Sequence, residues 1–471
     1  MTITIKTSSQ YTEEKKYIAH VVFCEFLGID INLVFEDTKK TTIIFPNKHK
    51  LVISDVLFQT PADKWLALDS LPKQPLRLWI ASSIIDEDVL VEKMIPVIYG
   101  ELLTGDSWVD QEGSTIHLGL DVFGSIFFML TRYEEIVRPA QDKHGRFPAT
   151  ASLAFQEGFL DRPIVNEYVE ILWALMKRLC PSLKRKKRSF RFLLSHDVDR
   201  PYEYAFKNLR EISRTMVGDI VFRHSPKAAL NRFKTWRQVC RGDDVADPFF
   251  TFDWIMDQSE VHGCRSSFYF IPRSYGKKKY ESPYDLNHQK ICDLMQRIYR
   301  RGHEIGYHAS YTSFGEPDCV KEEVNLLQKT CERLAIKRDD WGGRQHYLRW
   351  QSPTTWQSWE QASLSYDSTL AYAEYAGFRT GSCCEYSTFN ILTKQQLKLK
   401  ERPLIVMEGS IIDDAYMGLG LTEEAFERIK LLFERTKLFN GDFTVVWHNS
   451  SLISEKAKNM YVDMLRLNSA H

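Results

Sequence analysis

The C-terminal part of the sequence alternates short apolar runs with longer stretches of helical periodicity. The apolar runs are typical of buried strands and read RFLLS, SSFYFI, EIGYH, YDSTLAY, PLIVME and TVVWH. Between them, stretches such as NHQKICDLMQRIYRRG and KEEVNLLQKTCERLAI place apolar residues at helical spacing. This alternation predicts parallel strands with helices packed outside them, in an open sheet or in a barrel.

The N-terminal part mixes strand-like runs (TTIIFP, KLVISDVLF, LRLWIA) with helical ones (KYIAHVVFCEFLGI, DVFGSIFFMLTRYEEI). The basic run from Lys184 to Arg188 follows an amphipathic helix and marks a domain boundary near 185. The run is either a solvated linker or a contact for anionic lipid or a phosphorylated substrate. We predict a smaller α+β domain over 1–185 and an α/β domain over 186–471, with a helical insert near 203–248.

Composition narrows the classes of function. Lys and Arg together number 62, as do Asp and Glu, so no overall charge attracts nucleic acid and no such partner is expected. The nine cysteines form no C-x-x-C pair, and the polar start lacks the apolar core of a secretory signal. No apolar run reaches the about 18 residues that a membrane span requires. These features predict a cytoplasmic protein with reduced thiols.

Polar residues suited to metal-assisted hydrolysis occur at the ends of three predicted strands. Asp197 and Asp199 are two residues apart, so an extended chain turns both carboxylates to one face. One can then bind a cation while the other acts as a base. His308 closes EIGYH as a possible imidazole ligand, and His448 closes TVVWH as a possible general acid. Each of these residues, taken alone, also suits an ordinary turn, cap or hydrogen-bonding role.

Taken in order, LLSHDVD, SSFYFI, RGHEIGYHAS, GGRQHY and VVWHNS resemble the motifs of the polysaccharide deacetylases, carbohydrate esterase family 4. The resemblance covers roughly residues 190–450, and GHEIG followed by one residue and His308 is its most specific element. It implies a distorted (β/α) barrel that uses a divalent metal, often zinc, to hydrolyse N- or O-acetyl groups on sugars. The N-terminal segment resembles the accessory region of a branch found in bacterial surface-polysaccharide gene clusters.

The resemblance also implies a role for each matching residue. Asp197 matches the general base, and Arg344 matches the arginine that holds this base in place. Asp199 and His308 match two metal ligands. His448 matches the histidine that protonates the departing amine.

The sequence departs from the family at the second metal-binding histidine. The family has this residue four positions after the first, where the present chain has Thr312. A site made of one Asp and one His would be weak, because catalytic zinc usually has three protein ligands. His346, two residues after Arg344, is the candidate replacement. It can equally contact the substrate or pack beside Tyr347.

These implications together predict a hydrolase of non-peptide C–N bonds that removes N-acetyl, or O-acetyl, groups from a sugar or oligosaccharide. The missing export signal favours a lipid- or nucleotide-linked intracellular precursor of a surface polysaccharide, handled in the cytoplasm or at the periphery of the inner membrane. Two alternatives remain: a non-catalytic saccharide-binding barrel, which Thr312 favours, and an amidohydrolase acting on a non-sugar amide.

The sequence of the basic insert near 203–248 is compatible with two locations for its helices. Either its helices rest on a membrane surface, or they form a solvated cover over the barrel mouth. The sequence defines neither the sugar, the acyl group, the metal nor the oligomeric state.

Overall fold

The structure, a computed structural model, describes residues 2–82, 84–86, 89–273, 275 and 280–469. The chain forms two compact units. Unit 1 comprises Met1–Arg191, Leu348–Val406 and Leu431–Phe443, and unit 2 comprises Phe192–Tyr347, Met407–Lys430 and Thr444–His471. The domains 1–185 and 186–471 stay a prediction, because contacts within one structure do not show which segments fold on their own.

The strands of the described residues are numbered in chain order. They are β1 (Ile3–Ser8), β2 (Ile31–Glu36), β3 (Lys40–Ile44), β4 (Lys50–Ser54), β5 (Arg77–Ile80), β6 (Met94–Val97), β7 (Val109–Glu112), β8 (Thr115–Leu118), β9 (Arg191–Val198), β10 (Ser266–Phe270), β11 (Glu304–Ala309), β12 (Gly342–Gln345), β13 (Tyr366–Asp367), β14 (Tyr386–Asn390), β15 (Gln395–Glu401), β16 (Val406–Met407) and β17 (Asp442–Val446).

The α-helices of the same residues are numbered likewise. They are α1 (Thr12–Ala19), α2 (Val122–Leu130), α3 (Tyr133–Val137), α4 (Leu153–Gln156), α5 (Ile164–Leu179), α6 (Leu209–Val221), α7 (Pro226–Cys240), α8 (Phe252–Val261), α9 (Gln289–Arg300), α10 (Pro317–Arg333), α11 (Thr354–Gln361), α12 (Glu408–Ile412), α13 (Glu423–Leu438) and α14 (Glu455–Ser469). Within the described part of the chain, no helix combines the length and the apolar character that a bilayer crossing needs.

Unit 1 contains a mixed six-stranded sheet in the order β2-β1-β3-β4-β8-β7. Helix α2 is buried along its whole length, as its sequence VFGSIFFML leads one to expect. Asp121 caps this helix, because its carboxylate accepts a hydrogen bond from the backbone N–H of Gly124 at 2.8 Å. The buried pair between Lys15 and Asp55, with Nζ and Oδ2 2.8 Å apart, lies in the same unit.

Unit 2 is built on strands in the order β12-β11-β10-β9-β17, of which β9 to β12 run parallel. Helices α8, α9 and α10 precede β10, β11 and β12 along the chain, which gives the strand–helix alternation of a parallel sheet. Helix α9 buries Ile291, Leu294, Met295 and Ile298, the spacing of one helical face. The predicted α/β class is therefore confirmed. The distorted barrel and a smaller α+β domain before it stay predictions.

Gly306 leaves the space that an aromatic ring occupies on the neighbouring strand. A Cβ at this position would lie 2.5 Å from Cδ1 of Tyr269 and 2.8 Å from the carbonyl oxygen of Gly342. The Tyr269 ring in turn lies beside the guanidinium of Arg344, with 5.3 Å between Cζ and the ring centroid. The glycine within RGHEIGYH thus serves the packing that supports this arginine.

We predict that Gly306→Ala lowers the free energy of unfolding by about 1–3 kcal/mol, because the new methyl group overlaps the Tyr269 ring. Urea denaturation measures the change. Gly218→Ala is the matched control: it lies within α6, and its nearest neighbour would be 3.9 Å away. This control is expected to raise the free energy of unfolding by about 0.5–1 kcal/mol. Equal effects of the two substitutions would contradict the prediction.

Candidate active site

The residues that the sequence singles out lie at the C-terminal ends of four strands of unit 2. Asp197 lies in β9 with Asp199 just beyond it, His308 lies in β11, Arg344 lies in β12 with His346 next to its end, and His448 follows β17. Because β9 to β12 are parallel, their carboxyl ends meet at one edge of the sheet.

A buried ion pair joins two of these residues. Arg344 Nη1 lies 2.7 Å from Asp197 Oδ1 and donates a second hydrogen bond to Ser195 Oγ at 3.1 Å. Ser195 and Asp197 are two residues apart in β9 and face the same side of the sheet. Arg344 has no exposed surface and Asp197 is 3% exposed, so water hardly weakens the attraction between their charges.

Asp199, His308 and His346 form the cluster within the described residues that can hold a metal ion. One ligand atom from each lies within 4.8 Å of the others. His308 Nε2 is 3.0 Å from Asp199 Oδ1, and His346 Nε2 is 3.4 Å from Asp199 Oδ2. The structure thus places His346 beside the two residues that the family resemblance implies as ligands.

The hydrogen bonds around His308 direct a lone pair into this cluster. Its Nδ1 lies 2.9 Å from the carbonyl oxygen of Arg344, which can only accept, so Nδ1 carries the hydrogen. In the neutral ring Nε2 is then an acceptor that faces the Asp199 carboxylate. Both Nε2 and Asp199 Oδ1 are buried without a hydrogen-bond partner among the described residues. Acceptor atoms facing one another in this way fit a bound cation.

The charges of neighbouring side chains shift the pKa values of Asp199 and His308. Burial alone would raise the pKa of Asp199, but His346 and His308 hold the pKa of that carboxyl well below its usual range. Burial alone would likewise lower the pKa of His308, but Asp197 and Asp199 raise it. Asp199 and His308 therefore favour each other's charged form, and a metal cation would take the place of the proton on the His308 imidazole.

His448 has a different partner, Glu408, which the sequence did not single out. Glu408 Oε1 is 2.7 Å from His448 Nδ1, and it also accepts from the His448 backbone N–H and from Ser451 Oγ, each at 2.9 Å. His448 Nε2 lies 3.6 Å from Asp199 Oδ2. Burial alone would lower the pKa of His448, but Glu408, followed by Asp199 and Asp197, raises it to about 10. This imidazole therefore keeps its proton at neutral pH.

Thr312 donates its hydroxyl hydrogen to Glu281 Oε1. Near His346, Tyr347 packs with 4.7 Å between ring centroids, and its backbone has the left-handed φ of 62°. The rings of Tyr280 and Tyr311 lie 5.2 and 5.4 Å from that of Tyr347. The sequence reasoning missed Tyr280 and Tyr311, because each lies in a polar loop without periodicity.

Comparison with known proteins gives one family match and several similar structures. Residues 3–181 match a family of unknown function, DUF7033. No curated protein matches the chain.

Three solved structures illustrate the likeness, and each matches 60% of this chain. A protein from Mycobacterium smegmatis assigned as a polysaccharide deacetylase has 14% identity, a TM-score of 0.40 and 85% of its own chain covered. A polysaccharide deacetylase from Bacillus cereus has 11% identity, a TM-score of 0.27 and 88% covered. An allantoinase, Puue, has 11% identity, a TM-score of 0.34 and 85% covered.

The buried ion pair gives a prediction about stability. Arg344→Met is expected to lower the free energy of unfolding by about 3–5 kcal/mol, because it leaves the Asp197 carboxylate buried without its cation. The double variant Asp197→Asn/Arg344→Met should lose less, since it removes both charges. Urea denaturation in the presence of a chelator measures both.

Arg301→Met is the control, because Arg301 pairs with Asp257 and Glu260 at the surface and is expected to contribute about 1 kcal/mol or less. If Arg344→Met destabilises the protein no more than this control, or if the double variant is the least stable, the Asp197–Arg344 pair does not have the predicted role.

Proposed function

We propose that this chain is a metal-dependent hydrolase that removes an N-acetyl group, or an O-acetyl group, from a sugar. The observation that carries the proposal is the cluster of Asp199, His308 and His346 with a base and an acid next to it. Asp197 Oδ2 lies 3.9 Å from His308 Nε2, and His448 Nε2 lies 3.6 Å from Asp199 Oδ2. Amide hydrolysis needs these three functions within reach of one bond.

Asp199, His308 and His346 would hold the divalent metal, for which zinc is our expectation. One carboxylate and two imidazoles provide the three protein ligands that are usual at catalytic zinc. When bound, the metal would polarise the acetyl carbonyl and lower the pKa of a water molecule.

Asp197 is the proposed general base. Arg344 and its bond to Oδ1 fix the orientation of the carboxylate, which leaves Oδ2 on the side of the cluster. Oδ2 takes the proton from water as the water oxygen forms its bond to the acetyl carbon. Arg344 acts through this carboxylate and is a positioning residue.

His448 is the proposed general acid. Glu408 binds Nδ1, so the proton on Nε2 is the one available for transfer. As the bond from the acetyl carbon to the sugar nitrogen breaks, Nε2 gives its proton to that nitrogen, and acetate and a free amine result. With an O-acetyl group the proton goes to the sugar oxygen instead.

The sequence resemblance supports an acetylated sugar or oligosaccharide as the substrate. Aromatic rings suit contact with a pyranose, and Tyr347 lies beside His346 with Tyr280 and Tyr311 packed against it. We extend the proposal to a lipid- or nucleotide-linked precursor of a bacterial surface polysaccharide, handled in the cytoplasm.

The metal site can be tested directly by mass spectrometry of the purified protein. The wild type is expected to hold about one zinc ion per chain, and His308→Ala and His346→Ala to lose it, because each substitution removes one of three ligands. His262→Ala is the matched control: His262 lies outside the cluster and bonds the carbonyl of Gln258, so this variant should keep the metal. A wild type that binds no metal after zinc is supplied would refute the proposed centre.

Acetate release from N-acetylated amino sugars tests the chemistry. Asp197→Asn and His448→Ala are each expected to lower kcat at least about 100-fold, because each removes one proton-transfer group. Asp257→Asn, which loses only an ion pair with Arg301, serves as the control. If the wild type binds metal and saccharide but releases no acetate, the saccharide-binding alternative replaces this proposal. Activity on non-sugar amides alone would favour the amidohydrolase.

A further inference from the structure

Helices α6 and α7 form a hairpin within unit 2 that has its own small core. Ile212 and Val239 are fully buried between the two helices, and Met216, Phe233 and Trp236 pack against them. The hairpin is therefore held together by the inward faces of its helices. Apolar side chains on its outer surface are not needed for this packing.

The turn between the two helices is fixed by polar contacts. The Asp219 carboxylate, which is 1% exposed, binds Arg223 Nε at 2.7 Å and Arg232 Nε at 2.6 Å. The Asp219 carbonyl accepts from the Ser225 backbone N–H at 2.9 Å. Ser225 then caps α7, whose first residue is Pro226. The end of the hairpin is thus a defined surface.

Large apolar side chains are exposed at this end. We name as the apolar tip Val217, Ile220, Val221, Phe222 and Leu230, whose exposed fractions are 56%, 49%, 53%, 81% and 53%. Single exposed apolar residues are common on soluble proteins, but five at the end of one hairpin form a patch of the kind that marks an interaction site.

Basic side chains are frequent along the hairpin that carries the apolar tip. Residues 209–241 contain eight Lys and Arg but two acidic residues, Glu211 and Asp219, a formal net charge of +6. We name as the basic collar the exposed members of this set that lie within four residues of a tip residue along the chain, which are Arg214, Arg223, Lys227 and Lys234. Since the whole chain has no net charge, the collar is a local concentration of positive charge.

We propose that the apolar tip inserts into the interfacial region of a lipid bilayer, with the basic collar on anionic headgroups. Binding at a membrane interface grows with the apolar area that is buried and with the attraction of Lys and Arg to anionic lipids, and the hairpin offers both. Each basic residue near such a surface adds to the attraction, which falls off over a Debye length. A second copy of the chain fits less well as the partner, because it would bring two collars of the same sign together.

Co-sedimentation of the full-length protein with vesicles tests the inference. Binding to phosphatidylglycerol vesicles is expected to be at least about tenfold stronger than to phosphatidylcholine vesicles, because only the former attract the basic collar. Added salt should weaken the binding. Equal affinity for the two lipids, or no binding to either, would overturn the proposal.

The double variant Ile220→Ser/Phe222→Ser distinguishes the contribution of the apolar tip to vesicle binding from the contribution of the basic charges. It is expected to weaken binding to phosphatidylglycerol vesicles at least about tenfold, because the inserted side chains are lost. Val261→Ser/Ile453→Ser is the matched control, since these residues are 76% and 60% exposed in the same unit but lie outside the hairpin. Both double variants replace exposed residues and should unfold like the wild type.

Two further outcomes would count against a lipid partner. If the tip variant binds vesicles as well as the wild type does, the tip does not insert. If the wild type forms concentration-dependent dimers without lipid and Ile220→Ser/Phe222→Ser abolishes them, the tip is a self-association surface instead. Acetate release from a soluble substrate should be unchanged in the tip variant, so this test is independent of the proposed enzymatic function.

Discussion

A buried ion pair joins Asp197 to Arg344, and the arginine of this pair also orients His308. A guanidinium without exposed surface has to keep its carboxylate, because a buried charge left alone costs several kcal/mol. The pair connects β9 with β12 across the two strands between them, where Gly306 makes room for the Tyr269 ring that supports the arginine. Arg344 also offers its carbonyl oxygen to His308, so one residue orients both a proposed base and a proposed ligand.

His308 and His448 differ in the group that accepts the hydrogen bond from Nδ1, and this difference gives them different chemistry. His308 gives its Nδ1 hydrogen to a carbonyl oxygen, which has no charge and leaves Nε2 able to act as a ligand. His448 gives its Nδ1 hydrogen to the carboxylate of Glu408, which favours the protonated ring. A protonated imidazole has no lone pair for a metal but has a proton to donate. The two rings can therefore lie around the same Asp199 carboxylate and still have separate functions.

Part of this site can be predicted from local sequence, and part cannot. Asp199 and His308 follow apolar runs, so their place at strand ends can be read from the pattern. The position of His346 is harder to predict, because the strand before it, β12, has the sequence GGRQ and no apolar pattern. Its Gly343 allows a close backbone approach to Tyr307 instead. Glu408 follows the two-residue strand β16 and lies 40 residues before its partner, so only the fold brings the two together. Strand β15, which pairs antiparallel with β14, was not predicted for a local reason, since QQLKLKE has only three buried residues.

The hairpin of α6 and α7 is a second case in which the sequence predicts the element but not the environment of its side chains. A basic helical insert is evident from the sequence, but periodicity does not say which apolar residues face a core. In the structure, Ile212 and Val239 fill the space between α6 and α7, while Phe222 remains 81% exposed. Exposed apolar surface of this size carries an unfavourable free energy in water that the hairpin's own core does not relieve. Hydrogen bonds of Asp219 and Ser225 hold the backbone of the turn in place. An apolar surface on an ordered turn loses less conformational entropy when it is covered than one on a disordered segment does, and this favours the insertion that we propose.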